Sequence, residues 1–302
     1  MLTFFSTPKP FAGHIAVIQR NALRSWQSVH PDAEILLFGD DAGAAEVCAE
    51  FGIRQVSQVR KNRYGTKYLA DIYEQAQELA SYDLLCHINC DIVLLDDFLP
   101  ALQKVAAQPS PFLMAGCRWD VDIREPLKFE QPGWRAQVRA LALRTDRQRP
   151  PQWIDYFAFR RGLFRERIPE FVIGRPGWDN WLLWFARASG ASLIDASAIV
   201  CAVHQNHDYS YHPDGEAGVW QGKEAQENYQ FLEGHRKFAT LENATYLLQP
   251  DGLHRNYRHW LVQSRRRAAD SFFPAWFRFL EFTRPIRHRL KLRRRATPST
   301  RP

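Results

Sequence analysis

Short apolar runs and longer stretches with helical spacing take turns along the first hundred residues. Leu2–Ser6 reads as a buried strand, residues 8–13 as a loop, and residues 14–29 as a helix with Ile15, Ile18, Ala22 and Trp26 on one face. Glu34–Phe38 repeats the strand pattern and ends in Gly39-Asp40-Asp41, after which residues 42–51 read as a helix and 54–59 as a third strand. Gly65-Thr66 opens a helix to about residue 80, with Leu69, Ile72, Tyr73, Ala76 and Leu79 recurring at helical spacing, and Leu84–Ile88 is the next strand. This order predicts an α/β fold, a mostly parallel sheet flanked by helices. Loops carrying polar groups after successive strands have the topology of a nucleotide-binding half-domain.

One run breaks the pattern. The apolar stretch resumes at residues 92–95, leaving Asn89-Cys90-Asp91 where a core strand would avoid polar groups. Two readings stand: a turn whose side chains satisfy nearby backbone amides, or a hard divalent cation bound by Asp91 at a strand's carboxyl end, where open α/β sheets take ligands. Further along, residues 111–115 read as a strand. Residues 118–151 form a weakly patterned polar connection, expected to be a functional lid or a disordered insert. Residues 153–161 read as a strand with Asp155 near its start. A loop containing Gly174-Arg175-Pro176-Gly177 then feeds a helix to about residue 188, which puts Asp179 in a first turn that favours a carboxylate. A strand over 192–200 leads to His204, His207 and His212. Their spacing is not that of a zincin H-E-x-x-H, but His204, following a strand, could complete the cation site of Asp91.

Composition narrows the class. The chain has 302 residues, 45% hydrophobic and 24% charged, which is globular and long enough for one large domain or two small ones. Five widely spaced cysteines in apolar runs argue against a disulfide framework or C-x-x-C metal site and fit a reducing cytoplasm. No signal-like segment and no apolar stretch of roughly 18 residues is present, which disfavours secretion. The net charge of +7 is unevenly spread. Residues 255–302 carry 14 Lys and Arg against two Asp and Glu, so the body before them is net acidic. Within that tail Phe272, Phe273, Trp276, Phe277, Phe279, Leu280 and Phe282 sit beside Arg278, Arg284, Arg287, Arg289 and Lys291. This is the composition of an amphipathic helical tail lying on an anionic membrane surface through residues 272–295, kinked at Pro285. An inert solvated tail and a nucleic-acid arm share the charge; the acidic body speaks against nucleic acid. Neither G-x-G-x-x-G after the first strand nor a P-loop motif occurs, so dinucleotide and P-loop readings lose their main support.

Taken together, the stretches Asn-Arg-Tyr-Gly-Thr (62–66), Ile-Asn-Cys-Asp-Ile-Val-Leu (88–94), Asp-Tyr-Phe-Ala-Phe-Arg-Arg (155–161), Ile-Gly-Arg-Pro-Gly-Trp-Asp-Asn-Trp (173–181) and His-Gln-Asn-His-Asp-Tyr (204–209) carry a resemblance. The chain resembles the nucleotide-sugar-dependent glycosyltransferases of the GT-A (Rossmann-like) fold over roughly residues 2–212. That resemblance implies that Asp91 matches the last carboxylate of the family's D-x-D motif and binds the donor diphosphate through Mn2+ or Mg2+; with His204 as a metal ligand the arrangement resembles retaining members, and with Asp179 as base it resembles inverting ones. Asn89 replaces the first carboxylate; its amide oxygen can bind a hydroxyl but carries no charge. By position, Thr7, Pro8 and Asp40 resemble the nucleoside pocket, with Arg63 and Lys67 near the phosphates. Asp179 is the implied base and Asp155 the second candidate, with Trp178 and Asn180 on the acceptor side. Trp178 and Trp181 are either sugar-stacking or core residues. The implied organisation is a transferase domain over 1–254, with a nucleotide-binding half (1–110) and an acceptor-binding half (111–254), followed by the tail (255–302). The expected partners are a nucleotide sugar and a glycan or glycolipid acceptor, at a cytoplasmic location peripheral to the inner membrane face. A nucleotidyltransferase, for which Thr7-Pro8-Lys9-Pro10-Phe11-Ala12-Gly13 is a poor phosphate loop, and a catalytically degenerate scaffold at the membrane are the alternatives.

Overall fold

Successive side chains of a strand face opposite sides of its sheet, and here both sides are covered. The computed structural model describes residues 1–209 and 213–257; the expectations for residues 272–295 and for His212 lie outside the described residues. In chain order the elements are β1 (Leu2–Ser6), α1 (Gly13–Gln27), β2 (Glu34–Phe38), α2 (Ala44–Phe51), β3 (Arg54–Val56), α3 (Leu69–Leu79), β4 (Leu84–Ile88) and β5 (Ile92–Val93). Next come α4 (Phe98–Ala106), β6 (Phe112–Ala115), β7 (Arg118–Val121), α5 (Trp134–Thr145), β8 (Tyr156–Arg160), α6 (Trp178–Ala188), β9 (Ser192–Asp195) and β10 (Ala202–Gln205). The last are α7 (Gly215–Gln221), α8 (Lys223–Gln230), β11 (Tyr246–Gln249) and β12 (Gly252–Arg255). Nine strands form one sheet in the order β12-β11-β9-β6-β8-β4-β1-β2-β3, and β5-β10-β7 form a second, small one.

The period of two divides the core. Phe5, Leu36, Phe38, Leu85, Phe157 and Phe159 face α3 and α6, where Ile72, Tyr73, Ala76, Leu182, Leu183 and Ala186 meet them. Their neighbours Phe4, Ile35, Leu37, Cys86 and Ile88 face the opposite side, against Ala22, Leu23 and Trp26 of α1 and Phe98, Leu102 and Val105 of α4. A third cluster joins Val93, Val121 and Val203 of the small sheet to Trp134, Val138 and Ala142 of α5. The α/β architecture expected from the alternation is therefore present, among the described residues, with helices on both faces of a mostly parallel sheet. No helix of the described residues is long and apolar enough to cross a membrane.

Several boundaries differ from the sequence expectations for identifiable reasons. The helix expected from Gly65-Thr66 begins at Leu69, because the Asn62 side chain captures the local amides: its Oδ1 accepts from Tyr64 N at 2.9 Å and Thr66 N at 3.0 Å. Lys61 and Lys67 then pair across the loop, with Gly65 at φ 85°. Strand β3 stops at Val56 instead of 59, and the run 192–200 is a strand only to Asp195. Segment 118–151 is neither wholly irregular nor an insert without structure, since it supplies β7 and α5 and buries Trp134, Val138 and Ala142.

Strand β8 matters most for the site. It runs antiparallel between β4 and β6, pairing Ile88 with Tyr156, so its first residue lies beside the last residue of β4. Asp155, just before β8, is thereby delivered to the edge where β1, β2 and β4 end.

Candidate active site

At the end of β4 the chain turns through Asn89-Cys90-Asp91, closed by Ile92 N donating to Asn89 O at 3.1 Å, and leaves the main sheet to form β5. β5 pairs antiparallel with β10, setting His204 opposite Ile92, and Gln205 N donates to the Asp91 carbonyl at 3.1 Å. This register brings a strand-end carboxylate and a distant histidine together: Asp91, His204 and His207 present ligand atoms all within 4.8 Å of one another. Asp91 Oδ2 lies 3.3 Å from His207 Nε2 and 3.7 Å from Lys9 Nζ. Asp91 Oδ1 is buried and, among the described residues, has no hydrogen-bond partner. Burial by itself would raise this carboxyl, but contact with His207 and the fields of His204 and Lys9 hold it well below the ordinary carboxylate range. A buried anionic oxygen with an unused lone pair beside two imidazoles fits a divalent cation. One carboxylate with two ring nitrogens suits Mn2+ better than Mg2+, which prefers oxygen donors.

Behind this group runs a buried chain of charge. Asn89 Nδ2 donates to Asp155 Oδ1 at 2.6 Å, and Arg118 donates from one end nitrogen to Asp155 Oδ2 at 2.7 Å and from Nε to Asp120 Oδ1 at 2.9 Å. Asp120 also lies 3.3 Å from the buried His204 Nδ1, an ion-pair contact without hydrogen-bond geometry. Asp155 thus has both oxygens engaged, one by an amide and one by a guanidinium, and is held in place.

Asp179 is in a different state. Gly177 precedes α6 at φ 99°, so the helix starts sharply and Asp179 falls in its first turn. Its Oδ1 is buried and unpartnered among the described residues. Burial, aided by the charge of Asp155 and opposed by backbone amides at the helix start, pushes its carboxyl up to about 7.

Asp91, Asp155, Asp179, His204 and His207 all line one cavity of about 1010 Å³, together with Thr7, Pro8, Lys9, Lys67, Asn89, Arg118 and Trp178. Asn180 also borders it but is committed to the fold, donating to the Ala239 carbonyl at 2.9 Å. Trp178 is largely core, its ring packed on His87 at 5.2 Å and Phe157 at 5.4 Å. Trp181 is buried against Phe171 and Phe185. Lys67 is buried and paired with Asp41. Two expected donor-side residues are not brought into this group. Asp40 is exposed and paired with Lys61 at 2.6 Å while Asp41 lines the cavity, and Arg63 is exposed and paired with Glu227 at 2.7 Å.

The sequence expectations gave no role to Arg118, Asp120 or, as a ligand, His207, and included Lys9 only as part of the loop after the first strand. Only His207 left a signal, its i+3 spacing from His204 just past a strand.

No protein-family model matches the chain, and no curated protein matches it. Among solved structures it is similar to Mycobacterium tuberculosis glucosyl-3-phosphoglycerate synthase, at 13% identity and TM-score 0.46 over 84% of this chain and 86% of that one. The same enzyme in complex with Mn2+ and uridine-diphosphate-glucose gives 16% identity and TM-score 0.45 over the same shares. A mannosyltransferase from Pyrobaculum calidifontis in complex with GDP-Man and Mn2+ gives 12% and 0.44, over 70% of this chain and 58% of that one.

Proposed function

We propose that the chain is a nucleotide-sugar-dependent glycosyltransferase of the GT-A type, transferring a sugar to a hydroxyl acceptor in glycan or glycolipid assembly. One observation carries this reading: an anionic strand-end carboxylate flanked by two imidazoles shares a large cavity with a second carboxyl whose proton affinity is set near neutrality. Asp91, His204 and His207 would hold a divalent cation, whose chemistry is to offset the charge of the departing nucleoside diphosphate. The base is Asp179, whose Oδ1 takes the acceptor hydroxyl's proton as the acceptor oxygen bonds to the anomeric carbon and the bond from that carbon to the phosphate oxygen breaks. Asp155, fixed by Asn89 and Arg118, is a positioning residue for sugar hydroxyls. The loop at Thr7 and Pro8 and the buried Lys67 form the donor side, within the half expected to bind nucleotide (1–110). The acceptor enters over residues 174–180 in the other half (111–254). A cytoplasmic, membrane-peripheral location belongs to this proposal through the composition of residues 272–295.

A donor panel with and without Mn2+ tests the reading. Release of nucleoside diphosphate from one donor is expected, with donor affinity lost in Asp91→Ala and turnover, not donor binding, lost in Asp179→Ala. Absence of donor binding and hydrolysis across the panel would leave the scaffold alternative; full turnover in both variants would reject the residue roles.

A further inference from the structure

Two of the candidate cation ligands already have a positive charge beside them. Lys9 Nζ lies 2.9 Å from His207 Nε2 and 3.7 Å from Asp91 Oδ2. The hydrogen-bond pattern says what each atom is doing. His207 Nδ1 sits 2.6 Å from the Asp208 carbonyl oxygen, which can only accept, so Nδ1 carries a proton. An ammonium can only donate, so Nε2 receives the Lys9 bond with its lone pair. Toward the ammonium, Asp91 Oδ2 and His207 Nε2, themselves 3.3 Å apart, both act as acceptors. Two lone pairs converging at that separation are arranged for a cation, and the lysine head group supplies one.

We propose that Lys9 is an internal competitor for the cation site: its ammonium holds the place of the metal in the unloaded protein and has to withdraw for a divalent cation to bind. This rests on the metal reading above but concerns a residue outside the ligand set. The local build suits such a role. The Lys9 backbone is clamped by the buried Gln19 amide, which accepts from Lys9 N at 2.7 Å and donates to Lys9 O at 2.9 Å. The loop is thus pinned, while the side chain, 28% exposed, borders the open cavity and can swing on its four-carbon stem. Withdrawal forfeits the ion pair with Asp91 and the hydrogen bond to His207, so metal affinity is lower than the three ligands alone would give.

Mn2+ binding to the full chain, followed by loss of the free-ion electron paramagnetic resonance signal at fixed pH and ionic strength, tests this directly. Lys9→Met keeps the stem and removes the charge; Lys9→Gln is the second variant, and thermal melts confirm that both fold. Each is expected to bind Mn2+ more tightly than the native chain, by on the order of tenfold, the size of an ordinary coupling between two ligands. Asp91→Asn is expected to abolish the binding. If Asp91→Asn loses Mn2+ while both Lys9 variants bind it no better than the native chain, the competitor role is overturned and the metal site stands. If no variant differs from the native chain, or none binds Mn2+, the metal reading falls and the competitor role with it.

Discussion

Replacing Asp179 with Asn should stabilise the protein at alkaline pH while removing its activity. The carboxyl rises from an ordinary value of 3.8 to about 7 in the folded chain, chiefly through burial. The sign follows from linkage. A folded state that holds its proton more tightly than the unfolded one keeps its full stability below the unfolded value, and loses stability as pH rises toward the folded value. A shift of about three units corresponds to about 4 kcal/mol at about 1.36 kcal/mol per unit. The residue borders an open cavity in which water screens the charge, so about 2 kcal/mol is the expected cost above pH 7. Asn has the same shape and no charge to desolvate. Thermal melts of the native chain and Asp179→Asn should therefore coincide near pH 4 and separate by roughly 4 °C at pH 8, with the variant the more stable. The same variant should lack turnover at every pH, and kcat/KM of the native chain should climb to a plateau just above pH 7 as the base ionises. Equal melting differences at pH 4 and pH 8, or a variant less stable at pH 8, would refute the claim that an unsupported buried charge sits there.

Three further perturbations probe the surrounding network. Arg118→Met leaves Asp155 and Asp120 without their shared guanidinium at side-chain exposures of 9% and 13%, so urea denaturation should show a loss of about 3 kcal/mol or more. Asn89→Asp sets a carboxylate against Asp155 in place of an amide donor now 2.6 Å away, and should cost about 1–2 kcal/mol at pH 8 and much less at pH 4, where carboxyls share protons. Gly39→Ala combines φ 127° with a Cβ driven into the Lys67 side chain, and is expected to lower stability by about 1–3 kcal/mol in a thermal melt. Gly13→Ala is the control: at φ 51°, with nothing near the new Cβ, it should cost about 1 kcal/mol.

Strands β1, β2 and β4 were legible because they are buried on both faces, and they match their expected bounds to the residue. Legibility fails where side chains overrule local pattern. The Asn62 carboxamide holds the backbone that Gly65-Thr66 would otherwise feed into a helix. Helix α5 buries only Trp134, Val138 and Ala142 along its length, too thin a stripe among basic residues to read as amphipathic. Asp91 and His204 were readable as odd polar groups at strand ends, but the meeting of Lys9 with Asp91 and of Arg118 with Asp155 was not. Their positions depend on which loops meet, set by the β5–β10 register and by β8 inserted against the direction of its neighbours.

That inserted strand also explains the neutral residue at 89. By starting where β4 ends, β8 brings Asp155 within hydrogen-bond reach of position 89, and Asn89 donates both its backbone and side-chain N–H groups to it, at 2.9 and 2.6 Å. A carboxylate at 89 would accept where this geometry needs a donor, and would add a third negative charge beside an Arg118 already shared by two. The amide thus locks the turn carrying Asp91 to the strand carrying Asp155. The negative charge of the turn is concentrated on Asp91 alone, the one carboxylate that Lys9 and the two histidines surround.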